Sequence, residues 1–204
     1  MDTDWLRLNR EYWDERAPLH PASSFYDVPG FLAGKDVLRP FEHDEVGDVR
    51  GKRLLHLMCH IGRVMQWVPD VDRWAHVVAS LVAPGGFFYI AEYHPFIDIV
   101  DDDVRGLRRG YLDRGPFVED EPGSYTGRAD TSANTMVKWT HHIGAVVNAL
   151  ATAGLRVEFL HEFAFTDAAM FFGLERGEDG LWRFPPDRFQ IPMMFSLRAA
   201  KDGA

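Results

Sequence analysis

Residues 51–62 read Gly51-Lys52-Arg53-Leu54-Leu55-His56-Leu57-Met58-Cys59-His60-Ile61-Gly62, and this stretch predicts the fold. The run from Arg53 to Met58 is apolar on average, as in a strand that is buried on both faces of a parallel sheet. A polar turn that ends in Gly62 follows, and glycine lets the backbone approach a charged group closely. Because ligands of parallel α/β sheets bind beyond the carboxyl ends of the strands, the stretch indicates a strand that ends at a nucleotide.

The rest of the chain alternates helix and strand patterns, which indicates an α/β sheet. Helices are predicted over 3–16, 38–46, 70–81 and 143–153, and apolar strands over 87–93, 156–163 and 194–200. The last two strands are expected to form an antiparallel hairpin. We predict one domain over 1–204: an N-terminal helix and lid (1–50), core strands and a helix (51–97), an insertion with hairpin elements (98–140), and a C-terminal helix with strands (141–204).

Composition and charge argue against several classes of partner. With 22 Lys and Arg against 31 Asp and Glu, the net charge of −9 repels nucleic acid and anionic membranes. No apolar run approaches the length of a membrane span, and the N-terminus lacks the basic residues of a signal peptide. The chain has 1 cysteine, which allows no intrachain disulfide, so we expect a cytoplasmic protein.

Several segments, taken in chain order, resemble class I S-adenosylmethionine-dependent methyltransferases. Residues 54–62 resemble the first strand and glycine loop of a bacterial subgroup with a Cys-His-x-Gly loop. Ala83 to Gly86 resembles the turn into the fifth strand of these enzymes, and Glu92 to Phe96 resembles the end of that strand. Further matching segments are Tyr12 to Ala17, Trp67 to Asp70, Glu121 to Tyr125, Ala153 to Leu155 and Met194 to Arg198. The resemblance covers most of the chain and implies a Rossmann-like sheet that binds S-adenosylmethionine.

The sequence also departs from that family directly after the glycine loop. Only Arg63 to Gln66 separate the loop from the segment that begins at Trp67, where the family has a helix and three further strands. Each strand–helix–strand unit takes about 30 residues, so roughly 60 to 90 residues are missing. We therefore predict an internally truncated methyltransferase sheet that retains strands 1, 5, 6 and 7, in the order first, fifth, seventh, sixth. A buried-type strand at the edge of such a sheet invites pairing, so we expect a homodimer, with strand exchange as one way to form it.

Seven residues are predicted to bind the cofactor, in two groups. The resemblance implies that Cys59, His60 and Gly62 contact the aminoacyl part of S-adenosylmethionine. The other four, from the first helix and the loop after it, are expected to form a lid, since aromatic faces suit a sulfonium cation. These four residues are Tyr12, Trp13, Arg16 and Tyr26. The alternative for the first helix is docking by its apolar side.

Trp67, Tyr125 and Trp139 are predicted to contact the substrate, because this family builds its acceptor pocket from the corresponding segments; core packing is the alternative for Tyr125 and Trp139. His94 and His141 are candidate catalytic bases, since a histidine near neutrality deprotonates a hydroxyl or an amine. A histidine held by a neighbouring carbonyl is the alternative for each. No metal site is expected, because His141-His142 and Cys59-His60 are adjacent and lack the short paired spacing of zinc ligands.

Two functions follow from these residues. The first is methyl transfer from S-adenosylmethionine to a small-molecule acceptor, which mostly requires alignment of acceptor, methyl group and sulfur. The second is a non-catalytic or repurposed protein that has lost the cofactor and acts as a binding or assembly module. The residues absent after Arg63 favour the second function, and the ordered set of matching segments favours the first.

Overall fold

The computed structural model describes residues 4–56, 63–127 and 130–203, which form a mixed α/β structure of two compact units. One unit comprises residues 53–115 with 139–204, and the other comprises residues 1–52 with 116–138. The helices are α1 (Trp5–Arg16), α2 (Val28–Leu32), α3 (Pro40–Val46), α4 (Val71–Leu81) and α5 (Ile143–Thr152). The strands are β1 (Phe87–Tyr93), β2 (Phe117–Asp120), β3 (Thr135–Lys138), β4 (Arg156–Phe163), β5 (Phe165–Thr166), β6 (Glu175–Arg176), β7 (Trp182–Arg183) and β8 (Met194–Ala200).

A three-stranded antiparallel sheet organises the unit of residues 53–115 and 139–204. Strand β8 lies in the middle and pairs along its whole length with β1 on one side and β4 on the other. These are the three strands predicted at 87–93, 156–163 and 194–200, with the same bounds. The predicted antiparallel pairing of the last two is confirmed, since Phe163 lies opposite Met194 and Arg156 opposite Ala200.

Helices α4 and α5 pack together and supply most of the apolar core of this unit. Ala75 and Val78 of α4 and Leu150 of α5 are at most 1% exposed and lie in one cluster with Phe195 and Leu197 of β8. The carboxylate of Asp70 accepts the Arg73 N–H at 2.9 Å, so Asp70 is the N-cap of α4, as expected of an aspartate just before a helix. Val78 and Leu150 belong to the apolar pattern that predicted these two helices, and both are thus among the residues that the helices bury.

The predicted strand over Arg53 to Met58 is wrong for the residues that the structure describes. Residues 53–56 belong to no strand, and the side chains of Leu54 and Leu55 are 91% and 59% exposed. Residues 57 and 58 lie outside the described residues. An apolar run becomes a buried strand only if neighbouring strands bind its N–H and C=O groups. The predicted sheet placed residues 53–58 as a strand beside β1. In the described sheet β1 pairs with β8, and residues 53–56 do not pair with β1, so this placement is wrong for them.

Helix α1 and the β2–β3 hairpin organise the second unit. The cap of α1 is Asp4, whose carboxylate accepts the Arg7 N–H. On the buried side of α1, the amide of Asn9 accepts the Val137 N–H at 2.7 Å and donates to the Val137 carbonyl at 2.9 Å. A side-chain amide thus continues the hydrogen-bond pattern of β3. The hairpin confirms the expectation that residues 98–139 carry hairpin elements.

Residues 165–183 contain three very short strands, with β7 between β5 and β6. A second apolar cluster fills this part of the larger unit, with Ile97, Ile99, Phe171, Phe184 and Met193 buried in it. Of the helices in the described residues, none has both the length and the apolar character to cross a membrane.

Candidate functional site

A small, partly open cavity lies at the carboxyl end of β1, in the unit of residues 53–115 and 139–204. Its volume is about 30 Å³, which is room for one or two water-sized groups. The residues that matter for its chemistry are Arg63, Met65, Glu92, Asp98, Trp139 and His141. Strand β1 delivers Glu92 to this cavity, and the short 3-10 helices Met65–Trp67 and Pro95–Asp98 carry the neighbouring groups.

Glu92 is a carboxylate that is 2% exposed at the carboxyl end of β1. One carboxylate oxygen accepts the backbone N–H groups of Val64 at 2.5 Å and Met65 at 3.2 Å, and the other accepts the Tyr93 N–H at 2.8 Å. Burial raises the pKa of Glu92 from 4.5 to about 7, against the opposing effect of these three N–H groups and of the Arg63 charge. Glu92 thus fastens the segment at 64–65 to the sheet and titrates near neutrality.

His141 contributes an imidazole that is 6% exposed to the same cavity. Its Nε2 lies 2.6 Å from the Val68 carbonyl, and a carbonyl only accepts, so the ring proton is on Nε2. Nδ1 then carries a lone pair, and it has no hydrogen-bond partner among the described residues. Burial lowers the pKa of His141, with the Val68 bond acting in the opposite direction, so the ring is neutral at neutral pH. The predicted base therefore has one nitrogen held by the protein and one available.

His94 differs, because Nδ1 accepts a backbone hydrogen bond and Nε2 lies close to a carboxylate. Nδ1 accepts the Phe96 N–H at 3.1 Å, so the ring proton lies on Nε2, which is 2.7 Å from the Glu162 carboxylate. The ring is 3% exposed, and burial lowers its pKa despite the nearby Glu162 charge. The catalytic role predicted for His94 remains a prediction, but an acceptor would have to displace one of these bonds to reach a ring nitrogen.

Two charged residues complete the polar side of the cavity. The Arg63 guanidinium lies 3.6 Å from the Asp98 carboxylate and 5.2 Å from the centre of the Tyr93 ring. Because Arg63 and Asp98 neutralise each other, an ionised Glu92 leaves the lining with one net negative charge. Sequence reasoning did not select Arg63, Asp98 or Glu92 as site residues. For Glu92, the sequence feature that could have indicated a site residue is its position as a glutamate near the end of the apolar strand at 87–93.

The structure brings two of the predicted site residues together at this cavity, His141 and Trp139. Trp139 is 7% exposed, and its backbone N–H donates to the Gln66 carbonyl at 2.9 Å. Trp67 ends the 3-10 helix next to Gln66 but does not line the cavity. The predicted cofactor-loop residues Cys59, His60 and Gly62 lie outside the described residues.

The remaining predicted residues lie in the unit of residues 1–52 and 116–138, where several rings form an aromatic cluster. The His20 ring stacks on Tyr26 with 5.1 Å between centroids, and Trp13 meets the same imidazole edge-on at 5.9 Å. The hydroxyl groups of Tyr26 and Tyr125 are hydrogen bonded, which joins a predicted cofactor residue to a predicted substrate residue. The predicted lid therefore consists of rings that contact one another, together with Tyr12, which packs edge-on against Trp13.

Arg16 is fully buried in the same unit, and its guanidinium is held by backbone and side-chain oxygens. Its two terminal nitrogens donate to the carbonyls of Tyr12, Ala133 and Glu121, at distances of 2.8 to 2.9 Å. The side-chain oxygens of Thr131 and Asn134 are also within 3.2 Å, and the cation lies 3.5 Å from the centre of the Tyr12 ring. This arrangement fixes α1 against the segment at 121–134, whereas the cofactor contact predicted for Arg16 stays a prediction.

A metal centre is not formed by the part of the chain that the structure describes: within residues 4–56, 63–127 and 130–203, no three His, Cys, Asp or Glu side chains come close enough to hold an ion. Glu92 and His141 share the cavity, but the third potential metal ligand there, Asp98, is paired with Arg63.

Comparison with known proteins finds partial structural similarity only. No protein-family model matches the sequence, and no curated protein matches it. One similar solved structure is an S-adenosylmethionine-dependent methyltransferase from Mesorhizobium loti, with 24% identity and a TM-score of 0.43. Another is described as an S-adenosylmethionine-dependent methyltransferase from Listeria monocytogenes, with 14% identity and a TM-score of 0.44. Each match covers 69% of this chain, which spans 59% of the length of either structure.

Proposed function

We propose that this chain takes part in methyl transfer from S-adenosylmethionine to a small-molecule acceptor. The observation that supports this most is the bond between Glu92 and the backbone at Val64 and Met65. Only Arg63 separates these two residues from the predicted cofactor loop at 59–62, and Glu92 is the penultimate residue of the strand that resembles the fifth strand of methyltransferases. The segment Glu92 to Phe96, selected from the sequence, is therefore hydrogen bonded to the residues that follow the predicted cofactor loop.

The cavity itself does not fit the cofactor. Its volume of about 30 Å³ takes a group the size of one or two water molecules, whereas a nucleoside needs a pocket of several hundred Å³. Glu92 already accepts three backbone N–H groups, so its bonding capacity is largely used within the protein. We therefore assign the cavity to the reacting group of the acceptor.

The lining suits a small polar group at the end of an acceptor molecule. Trp139 and Met65 supply apolar walls, while His141 presents a nitrogen lone pair. Small-molecule sites combine apolar walls with a few placed polar groups in this way. His141 Nδ1 would receive the proton of the acceptor, and the bond of Nε2 to the Val68 carbonyl would hold the ring in place.

Calorimetric titration with S-adenosylhomocysteine tests the proposal. We expect saturable heat and a rise in the thermal unfolding midpoint. The variant Gly62→Val should weaken binding at least about tenfold, because a branched side chain at the loop prevents close approach of the ligand to the backbone. Gly203→Val is the matched control, since a Cβ at Gly203 meets nothing within 4 Å, and its binding should equal that of the unchanged protein.

Absence of both heat and thermal shift at millimolar S-adenosylhomocysteine would refute cofactor binding by this chain. That result would support the alternative, a methyltransferase-like binding or assembly module without the cofactor. Equal binding by Gly62→Val and Gly203→Val would show that the ligand binds away from the predicted loop. Circular dichroism spectra of both variants establish that the fold is retained in the comparison.

A further inference from the structure

The cavity at the carboxyl end of β1 contains a hydrogen-bond acceptor that no described residue uses. His141 lines this cavity, and its side chain is only 6% exposed. Its Nε2–H is used by the Val68 carbonyl, and Nδ1 has no partner among the described residues. A buried acceptor without a partner is rare in proteins, because desolvation without a hydrogen bond is unfavourable. Nδ1 is thus the place where a ligand with an N–H or O–H group gains a bond.

The charges around His141 select among such ligands. Arg63 and Asp98 lie 3.6 Å apart and compensate each other, and Glu92 adds a negative charge once it is ionised. Tyr93 and Trp139 also line the cavity. A net negative, acceptor-bearing and partly aromatic cavity favours a cationic donor over a neutral hydroxyl and disfavours an anion.

The size of the cavity limits what enters it. About 30 Å³ accommodates an ammonium head group, which is close in size to a water molecule, with the rest of the ligand at the opening. A quaternary ammonium group is larger and has no N–H to donate. The cavity therefore distinguishes a primary amine from a fully methylated one by both volume and hydrogen bonding.

We infer that this cavity, whose lining includes the carboxylate of Glu92, binds the ammonium head group of a primary amine, which donates an N–H to His141 Nδ1. This inference rests on the proposed function in one respect, since it names a primary amine as the class of methyl acceptor. Binding of the head group itself involves no cofactor, so it is tested separately from methyl transfer.

The direct test is NMR of the histidine ring nitrogens in the full chain, with methylammonium chloride as the probe. At pH 8.5 Glu92 is ionised, His141 is neutral, and a primary alkylamine with a pKa near that of lysine, about 10.4, stays protonated. We expect the free protein to show the Nε2–H form of His141. Added methylammonium should move the Nδ1 resonance saturably toward the value of a hydrogen-bonded nitrogen. Tetramethylammonium chloride at equal ionic strength is the control and should leave the resonance in place.

Two matched variants separate the Nδ1 acceptor from the structural role of the ring. In His141→Gln, the side-chain amide nitrogen replaces Nε2 as the donor to the Val68 carbonyl, and the acceptor at Nδ1 is lost. In His141→Asn, the amide oxygen replaces Nδ1 as an acceptor. Because a hydrogen bond to a charged group contributes about tenfold to hundredfold in affinity, His141→Gln should bind methylammonium more weakly by that factor. His141→Asn should retain most of the binding.

Three results would overturn the inference: an Nδ1–H tautomer in the free protein, no response of His141 to methylammonium, or an equal response to tetramethylammonium. Failure of S-adenosylhomocysteine to bind, with methylammonium still bound at His141, would refute the proposed methyl transfer and leave the amine site standing. Binding of S-adenosylhomocysteine without any response of His141 to methylammonium would refute the amine site alone.

Discussion

The substitution Glu92→Gln tests how a buried carboxyl group at the end of β1 responds to pH. Glutamine has nearly the shape of glutamate and cannot ionise, so the change removes one titration with little change in volume. The three N–H groups of Val64, Met65 and Tyr93 would then share one amide oxygen, whereas both oxygens of the carboxyl group accept hydrogen bonds, even when the group is protonated. We expect that loss to destabilise the variant by about 1–3 kcal/mol at pH 4 to 5, where Glu92 of the unchanged protein is protonated in the fold.

The pH dependence follows from the raised pKa. In the folded chain Glu92 has a pKa of about 7, against 4.5 for the ordinary group, so the folded state holds this proton more tightly than the unfolded state. The resulting stabilisation is complete below pH 4.5 and is lost as the pH rises toward 7. Each pKa unit corresponds to about 1.4 kcal/mol, so this group lowers the free energy of unfolding by about 3 kcal/mol between pH 4.5 and pH 7.5.

Urea unfolding of Glu92→Gln and of the unchanged protein between pH 5 and pH 8.5 measures this effect as the difference between their free energies of unfolding. His94 and His141 have lowered pKa values, so their contribution is present above pH 6.5 and is lost as the pH falls below it. Both histidines are present in both proteins, and their contributions largely cancel in the difference. The stability deficit of Glu92→Gln should shrink by roughly 2–3 kcal/mol from pH 5 to pH 8.5 and end near zero or reversed.

A deficit that stays constant with pH would refute the reasoning, because Glu92 would then titrate alike in the folded and unfolded states. A deficit that grows with pH would also refute it, since the three N–H groups and Arg63 would then outweigh desolvation and hold the carboxylate ionised. Glu178→Gln, a change of an exposed glutamate, is the control and should show the pH dependence of the unchanged protein.

Three further predictions concern stability and association. Asn9→Ala should lower the free energy of unfolding by about 2–4 kcal/mol in urea titrations, because both backbone groups of Val137 lose a buried partner; equal stability would show that water replaces the amide. Arg16→Lys keeps the charge but loses the forked guanidinium that reaches oxygens on several sides, so we expect at least about 2 kcal/mol of destabilisation, and a thermal midpoint within 1 °C of the unchanged protein, on the order of experimental error, would contradict this. We propose that the chain is a homodimer that buries Leu54 and Leu55, which are 91% and 59% exposed in the single chain. Sedimentation equilibrium should then give twice the chain mass, and Leu54→Ser with Leu55→Ser should give a monomer; a monomer before substitution would rule the dimer out.

Helices and strands whose own apolar pattern marks the buried face were predictable from the sequence. The strands at 87–93, 156–163 and 194–200 and the helices α4 and α5 follow from period and flanking turns, and the structure has them with nearly the predicted bounds. Gly154, with φ of +88°, follows α5 in the left-handed conformation that glycine commonly adopts just after a helix. In these segments local pattern and tertiary packing favour the same structure.

The stretch at 53–56 shows where pattern is insufficient. Leu54 and Leu55 have the composition of a buried strand, but burial requires neighbours that bind the backbone, and the described sheet provides none beside them. Whether an apolar run is a strand depends on residues far away in sequence, or on a second chain. The sequence pattern therefore predicted a buried strand where residues 53–56 form no strand and expose both leucines.

The candidate site was predictable only in part, for a similar reason. Trp139 and His141 were selected from the sequence, and both line the cavity. Glu92 gains its role from the N–H groups of Val64 and Met65, which come from a different part of the chain. For Arg16, a charged residue on an amphipathic helix, the sequence does not indicate that carbonyls of Glu121 and Ala133 would surround it. Such partners become visible only once the chain is folded.

The position of β8 in the middle of the sheet determines the order in which the sheet assembles. Strands β1 and β4 both bind β8 and not each other, so neither has a sheet partner while residues 194–200 are unstructured. The β4–β8 pair closes a much shorter loop than the β1–β8 pair, and shorter loops close at lower entropic cost. We expect the β4–β8 hairpin to form early and β1 to join it last. The cavity at the end of β1, with Glu92 and His141 in it, is then complete only in the final step of folding.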